Sequence, residues 1–245
     1  MEKTLLKGLS LLEAIARSPE PRGVSEVAAE LGMTRSNAHR LLQTLTKARF
    51  AVHDPVQGQY SASLKLFELG MLLGARIDVR AVARPIMEAI VGKTGENASL
   101  AVLDELDVVY IERVDSPNPV RAVVRTGERL PSYSSSSGKV LLAWSEDGVV
   151  DTLKGRLKQF TKHTITDLDE LKKVLAKVRK SGVCLTRNEW HLELSSVAVP
   201  VYDRRKKVVA ALAVSGPTTR FKPKSIETYV SAVQWGAKEI SARLS

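Results

Sequence analysis

The stretch from Val24 to Ser61 constrains the chain most, because its residues spell out a helix, a tight turn, a second helix and a two-stranded wing. In the second helix Ala38, Leu41, Leu42 and Leu45 fall at i, i+3, i+4 and i+7, the spacing of a helix packed along one side. Its other side carries Arg35, Ser36, Asn37, His39, Arg40, Gln43 and Lys47, side chains able to bond phosphates and the major-groove edges of guanine and adenine. The first helix is short, with Ser25 as its expected N-cap and Val27, Ala28 and Leu31 apolar. Gly32 supplies the break that a sharp helix-helix turn needs, and Thr34 is placed to cap the second helix. Phe50 to Val52 and Gln59 to Ser61 then flank Asp54, Pro55 and Gly58, as the strands of a hairpin would. One amphipathic helix is ordinarily a solvated core helix. The ordered set points to a winged helix-turn-helix that reads double-stranded operator DNA, with Thr34 included in the reading face.

Composition fits that reading without carrying it. A chain of 245 residues, 44% hydrophobic, can build two modest cores. The single cysteine, Cys184, excludes an internal disulfide and cannot alone make a thiolate metal site. No signal-like segment and no apolar run of membrane-spanning length is present, so a cytoplasmic protein without a membrane partner is expected. The net charge of +10 favours a polyanionic partner, yet residues 1–78 hold about ten basic against eight acidic side chains. Much of the excess lies in a segment around Lys172, Lys173, Lys177, Arg179 and Lys180, which reads as a solvated helix face.

Along the chain, an opening helix is predicted from Leu5 to Ala16, with Leu5, Leu9, Leu12 and Ile15 on its packed side. From Leu64 to Ala75 comes a helix with two apolar stripes, Leu64, Phe67 and Met71 on one and Leu66, Leu69 and Leu73 on the other. Such a helix needs two partners. Its own winged domain and a second copy of the chain would serve, as would complete burial within one subunit; the first suits a dimer reading two half-sites. Arg76 to Arg80 reads as the linker. The rest mixes helices with short strands. Val82, Ile86, Ala89 and Ile90 mark a helix, and strands are predicted at Ala98–Leu103, Val108–Val114, Val120–Thr126, Val183–Arg187, Ser196–Tyr202 and Val208–Ser215. Further helices are expected from Ser137 to Trp144, from an Asp167 cap to Lys180, and from Pro223 to Arg243. Antiparallel strand pairs with helices among them argue for an α+β sheet, not a doubly wound parallel one. The domains are therefore drawn as 1–63, a linker helix over 64–79, and 80–245.

The run from Leu5 to Leu69, with Leu31-Gly32-Met33, His39-Arg40-Leu41-Leu42 and Leu45, resembles the IclR family of bacterial transcriptional regulators. Matching pieces continue through Ala83-Arg84-Pro85, Thr94-Gly95-Glu96, Arg125-Thr126-Gly127, Leu130-Pro131, Ser137-Gly138-Lys139, Ala198-Val199-Pro200-Val201 and Ser215-Gly216-Pro217. The resemblance implies an N-terminal winged helix and a C-terminal GAF-like effector-binding domain. It also implies dimers, often paired into tetramers, and control by a small organic ligand with no cofactor and no catalysis.

Three chemistries could be read into Ser134-Ser135-Ser136-Ser137-Gly138-Lys139. A P-loop fails, because Tyr133 and Val140 stand where it needs Gly and Ser or Thr. A serine nucleophile lacks a motif that places a base beside it. An anion site at a helix start remains, against a serine cap that serves only the helix. The resemblance places this segment in the effector pocket and adds Ala122, Leu130, Ser136, Ser137, Thr186, Leu194, Ser196, Ala213 and Ser215 as lining positions. With no pocket-facing charge assignable, small hydroxyls and aliphatics suit a small carboxylate or a phenolic acid.

The chain departs from the family at Arg187–Leu194, where Asn188 replaces the first of two acids and Glu193 stands at a Gly position. Trp190 and His191 make the loop bulkier, so that it either remodels the pocket lip toward an aromatic effector or packs on a neighbouring subunit. Arg49 replaces the Gly that usually ends the recognition helix, which would leave that turn without a left-handed cap. A metal-dependent sensor is disfavoured because Cys184, His163 and His191 lack ligand spacing. A DNA-binding protein without a ligand is disfavoured by the size of the second domain.

Overall fold

The computed structural model describes residues 2–74, 78–119 and 125–244, which form two compact units, Met1–Arg76 and Ile77–Ser245. In the first unit, α1 (Lys3–Arg17), α2 (Val24–Glu30) and α3 (Arg35–Lys47) enclose a core of Leu11, Ile15, Val27, Ala38, Leu41 and Leu42. Ile15 is buried and Leu12 packs on the core as expected, but Leu5 and Leu9 are exposed, and Leu11 and Ala14 complete the packed stripe of α1. Gly8 faces Leu41.

Two expectations about helix ends are corrected. Ser25 lies inside α2, whose N-cap is Gly23 and has no side-chain cap bond, because Arg22–Gly23 is drawn into a short strand, β1. β1 pairs antiparallel with β3 (Gln59–Ala62), which also pairs with β2 (Ala51–Asp54) to give the order β1-β3-β2. Arg49 does adopt the left-handed conformation, φ 63°, despite its side chain. There the Phe50 N–H donates to the Leu45 carbonyl at 2.8 Å and the Arg49 N–H to Thr46 at 3.0 Å, which satisfies the last carbonyls of α3 as a glycine-ended helix would. The Ser63 hydroxyl bonds the Arg49 carbonyl, holding the turn from the far side of the hairpin.

α4 (Leu64–Gly74) follows, and Leu64, Phe67, Leu69, Met71 and Leu72 on it are exposed. Leu66 is half-buried, so the described apolar residues of the two stripes are mostly exposed. Residues 75–77 of the expected linker lie outside the described residues; Asp78 already begins the next helix.

The second unit is built on one six-stranded antiparallel sheet, in the order β6-β5-β4-β9-β8-β7. Its strands are β4 (Asn97–Asp104), β5 (Asp107–Val114), β6 (Arg129–Pro131), β7 (Cys184–Arg187), β8 (Leu194–Tyr202) and β9 (Val208–Pro217). The three-residue β6 was not predicted, and the expected strand Val120–Thr126 falls mostly outside the described residues; Arg125 and Thr126 are not strand. One face of the sheet carries Leu100, Val197, Val199, Val201, Leu212 and Val214. It packs against α5 (Asp78–Thr94) and α8 (Pro223–Arg243). In α5 the buried stripe is Val79, Ala83, Ile86, Met87 and Ile90, whereas Ala89 is exposed, contrary to expectation.

The opposite face presents small residues, Ala101, Ala198, Ala211 and Ala213, and is covered by α6 (Ser136–Ala143) and α7 (Leu168–Ser181). This alternation of large and small residues follows the two-residue period of strands. It lets α6 lie close to the sheet, and its start is closer still to the turn before it. A Cβ at Gly138 would stand 2.0 Å from the Ser132 carbonyl oxygen, so no larger residue fits there. On α7, Leu171, Leu175 and Val178 are buried, while Lys172, Lys173, Lys177, Arg179 and Lys180 form a solvated face.

Candidate functional site

On α3, the Thr34 hydroxyl accepts from the Asn37 N–H at 3.3 Å and caps the helix. Arg35, Ser36, His39, Arg40, Gln43 and Lys47 are exposed together, and Asn37 is half-buried with its amide oxygen near Arg40, 3.4 Å from Nη2. Ser36, His39, Arg40, Gln43 and Lys47 follow i, i+3, i+4, i+7 and i+11, which places them on the side opposite Ala38, Leu41 and Leu42. Along this face Arg35, Arg40 and Lys47 supply cations, and hydroxyl, amide and imidazole groups supply bonds that can discriminate base edges.

In the second unit, the small-residue face of β4, β8 and β9 and the start of α6 leave a cavity between them. Leu130, Ser136, Ser137, Thr186, Leu194, Ser196, Ala213 and Ser215 all line it, although they come from four separate parts of the sequence. Ala122 lies outside the described residues. Ser99, Tyr110, Ser134, Ser135, Glu189 and Trp190 complete the lining. Ser99 was legible in principle, since it shares the two-residue alternation of Ala101, and Tyr110 pairs with that residue across the ladder. Glu189 was not among the expected lining residues, although the Arg187–Leu194 loop that carries it was one candidate for the pocket lip.

The walls are a network of neutral hydroxyls. Ser196 Oγ lies 2.7 Å from Ser136 Oγ and 2.9 Å from Thr186 Oγ1. Ser135 caps α6 by accepting from the Gly138 N–H at 3.1 Å. Burial pushes the Tyr110 phenol up to about 12, although the Ser135 and Ser137 side chains bond it and pull the other way. Tyr110 is therefore a neutral donor in any ordinary buffer.

One charge does face the cavity, which corrects the expectation of none. Glu189 lines it and pairs with Lys139, whose side chain is only 1% exposed. Burial raises the Glu189 carboxyl above its usual range, and the Lys139 ammonium opposes that shift. The segment carrying Glu189 is anchored by Thr161, whose hydroxyl donates to the Asn188 carbonyl at 2.5 Å, and by Thr164, which donates to the Glu189 carbonyl at 2.6 Å. Trp190 packs on Phe160 with ring centroids 4.4 Å apart while also lining the cavity, so its bulk is spent on this wall. Asn188 and Glu193 both sit in the left-handed region, φ 59° and 68°. That conformation is why glycine suits position 193.

The cavity is small, with an interior of about 30 Å³, room for roughly two waters. Among the described residues no group of His, Cys, Asp and Glu is arranged to hold a metal, and no helix is long and apolar enough to cross a membrane.

The IclR helix-turn-helix domain matches residues 4–55, and the bacterial transcriptional regulator IclR C-terminal domain matches residues 73–242. The chain is 36% identical to the HTH-type transcriptional regulator KdgR of Escherichia coli K12 over 243 residues, covering 98% of this chain and 92% of that one. Its fold is similar to the crystal structure of Thermotoga maritima IclR, with a TM-score of 0.80, 31% identity and 98% of each chain covered. It is also similar to an IclR homolog from Microbacterium hydrocarbonoxydans solved with 4-hydroxybenzoate, with a TM-score of 0.86, 24% identity and 99% of each chain covered. Two domain matches that together span nearly the whole chain, in order, place this protein in the IclR family of bacterial transcriptional regulators, DNA-binding proteins and not enzymes.

Proposed function

We propose that the chain binds operator DNA as a dimer, two of which can pair into a tetramer, and is switched by a small organic acid in the cavity beneath α6. The observation that carries the effector reading is the lining itself: hydroxyls from Ser136, Thr186 and Ser196 converge beside the first turn of α6. Backbone N–H groups at a helix start and adjacent hydroxyls suit a carboxylate. Leu130, Leu194 and Trp190 supply apolar walls for a carbon skeleton or ring. The similar fold solved with 4-hydroxybenzoate supports an aromatic acid as one member of this class.

The dimer reading draws on α4, whose exposed leucines, Phe67 and Met71 form more apolar surface than a monomer ordinarily leaves in water. Two recognition helices would then be presented to two half-sites. A ligand that favours one arrangement over the other by about 1–3 kcal/mol changes operator affinity by 5- to 150-fold.

The test is a thermal-shift screen of the full chain against aliphatic and aromatic acids, followed by operator titrations with each hit. An acid that raises Tm and also changes operator affinity is the expected result. Intact operator binding with no responsive acid would remove the effector reading and leave a DNA-binding protein without a ligand.

A further inference from the structure

We infer that Glu189 holds the place of the effector's anionic group, and that an acid effector enters the cavity by taking the Lys139 ammonium from it. This rests on reading the cavity as an acid-binding site. Lys139 is 1% exposed and pairs with Glu189, and Glu189 lines the cavity whereas Lys139 does not. The carboxylate thus stands between a buried cation and a cavity through which another anion could reach it. A buried ammonium cannot be left without a counter-charge at small cost. It needs one whether the cavity is empty or filled.

The segment that supplies the present counter-charge is short. The Thr161 and Thr164 hydroxyls, one ring contact and the Lys139 pair hold its middle. Its two ends, at left-handed Asn188 and Glu193, are pinned by Thr218, whose hydroxyl donates to the Asn188 amide oxygen and whose N–H donates to the Glu193 carbonyl, and by the Asn188 N–H on the Leu194 carbonyl. Such non-glycine conformations persist only where surrounding contacts over-determine them. The cavity offers only about 30 Å³ of interior, so a ring-sized acid gains room when this wall moves. An entering carboxylate faces repulsion from Glu189 in place and attraction from Lys139 once Glu189 leaves. Charge exchange and opening are therefore one event. Lys139 offers a single positive charge, so the ligand class is a monoanion; its neutral amide cannot drive the exchange.

Calorimetric titration of full-length wild type and Glu189→Gln with 4-hydroxybenzoate and 4-hydroxybenzamide tests this. The variant should bind the acid at least tenfold tighter than wild type, with the amide changed by less than threefold. No gain for the acid, or an equal gain for the amide, overturns the inference. If Glu189→Gln folds poorly, the paired replacement Lys139→Met with Glu189→Leu keeps the site uncharged and should bind acid and amide alike; a persisting acid preference there also overturns it. The failures are distinguishable. Wild type answering to an acid without the predicted gain in Glu189→Gln defeats only the exchange. Silence of wild type and both variants across the whole acid panel defeats the cavity reading as well.

Discussion

Tyr110 and Glu112 stand two residues apart on β5 yet face opposite sides of the sheet. Tyr110 is opposite Ala101 and Glu112 is opposite Leu100, which leaves Ile111 without a counterpart on β4. The extra residue reverses the alternation, as a bulge does. Tyr110 enters the cavity, while Glu112 reaches Arg80 at 2.7 Å and Arg84 at 3.0 Å on α5, which packs on the other face.

Glu112 is buried beneath two half-exposed guanidinium groups, and its loss leaves both without their shared acceptor. Glu112→Ala is expected to destabilise the chain by about 1–3 kcal/mol. Urea unfolding should show a lower midpoint at unchanged slope, and an unchanged midpoint would contradict the role assigned to the pair.

Arg49 carries the strain of a left-handed turn that glycine would adopt freely. Arg49→Gly should therefore be more stable than Arg49→Ala by about 1 kcal/mol, since alanine retains the strain and glycine removes it. Thermal melts of the two variants compare them directly, with equal Tm values counting against the strain.

The exposed face of α3 predicts a clean separation of binding from folding. Arg35→Ala with Arg40→Ala should weaken operator binding at least tenfold and flatten its salt dependence by about one to two counter-ions. Its unfolding free energy should stay within about 0.5 kcal/mol of wild type, as exposed substitutions ordinarily do. Fluorescence anisotropy at several salt concentrations reads the first, and denaturant titration the second.

Phe67 is 66% exposed in the middle of the apolar surface of α4. If a second copy covers that surface, Phe67→Glu should shift the chain from dimer to monomer in sedimentation at micromolar concentration and weaken operator binding with it. A wild-type chain that is already monomeric would exclude the dimer.

Cys184 is buried, and burial pushes its thiol up to about 12 despite the nearby Lys139 ammonium. The thiol form, not the thiolate, is therefore present at pH 8, and the folded chain should not react with Ellman's reagent until denatured. Prompt reaction of the native protein would place Cys184 at an accessible site.

Local chemistry by itself determined much of this protein. Thr34 and Asp167 cap their helices because a short side-chain acceptor three residues before a free N–H is a purely local bond. Pro223 opens α8 for a similarly local reason, and the alternation of β8 and β9 announces strands buried on both faces. The helix-turn-helix was legible because its apolar spacing, its turn glycine and its polar face lie within one short segment. Tertiary structure alone decided the rest. β1 is two residues long and exists only because β3 lies beside it. The stripe that α1 buries depends on where Leu41 sits, and whether α4 is covered depends on a surface outside its own unit. Lys139 and Glu189 are 50 residues apart in the chain, and neither residue type reports a buried partner at that distance. A periodic pattern encodes which side of an element is apolar; only the packed fold determines what meets that side and which charge must be neutralised there.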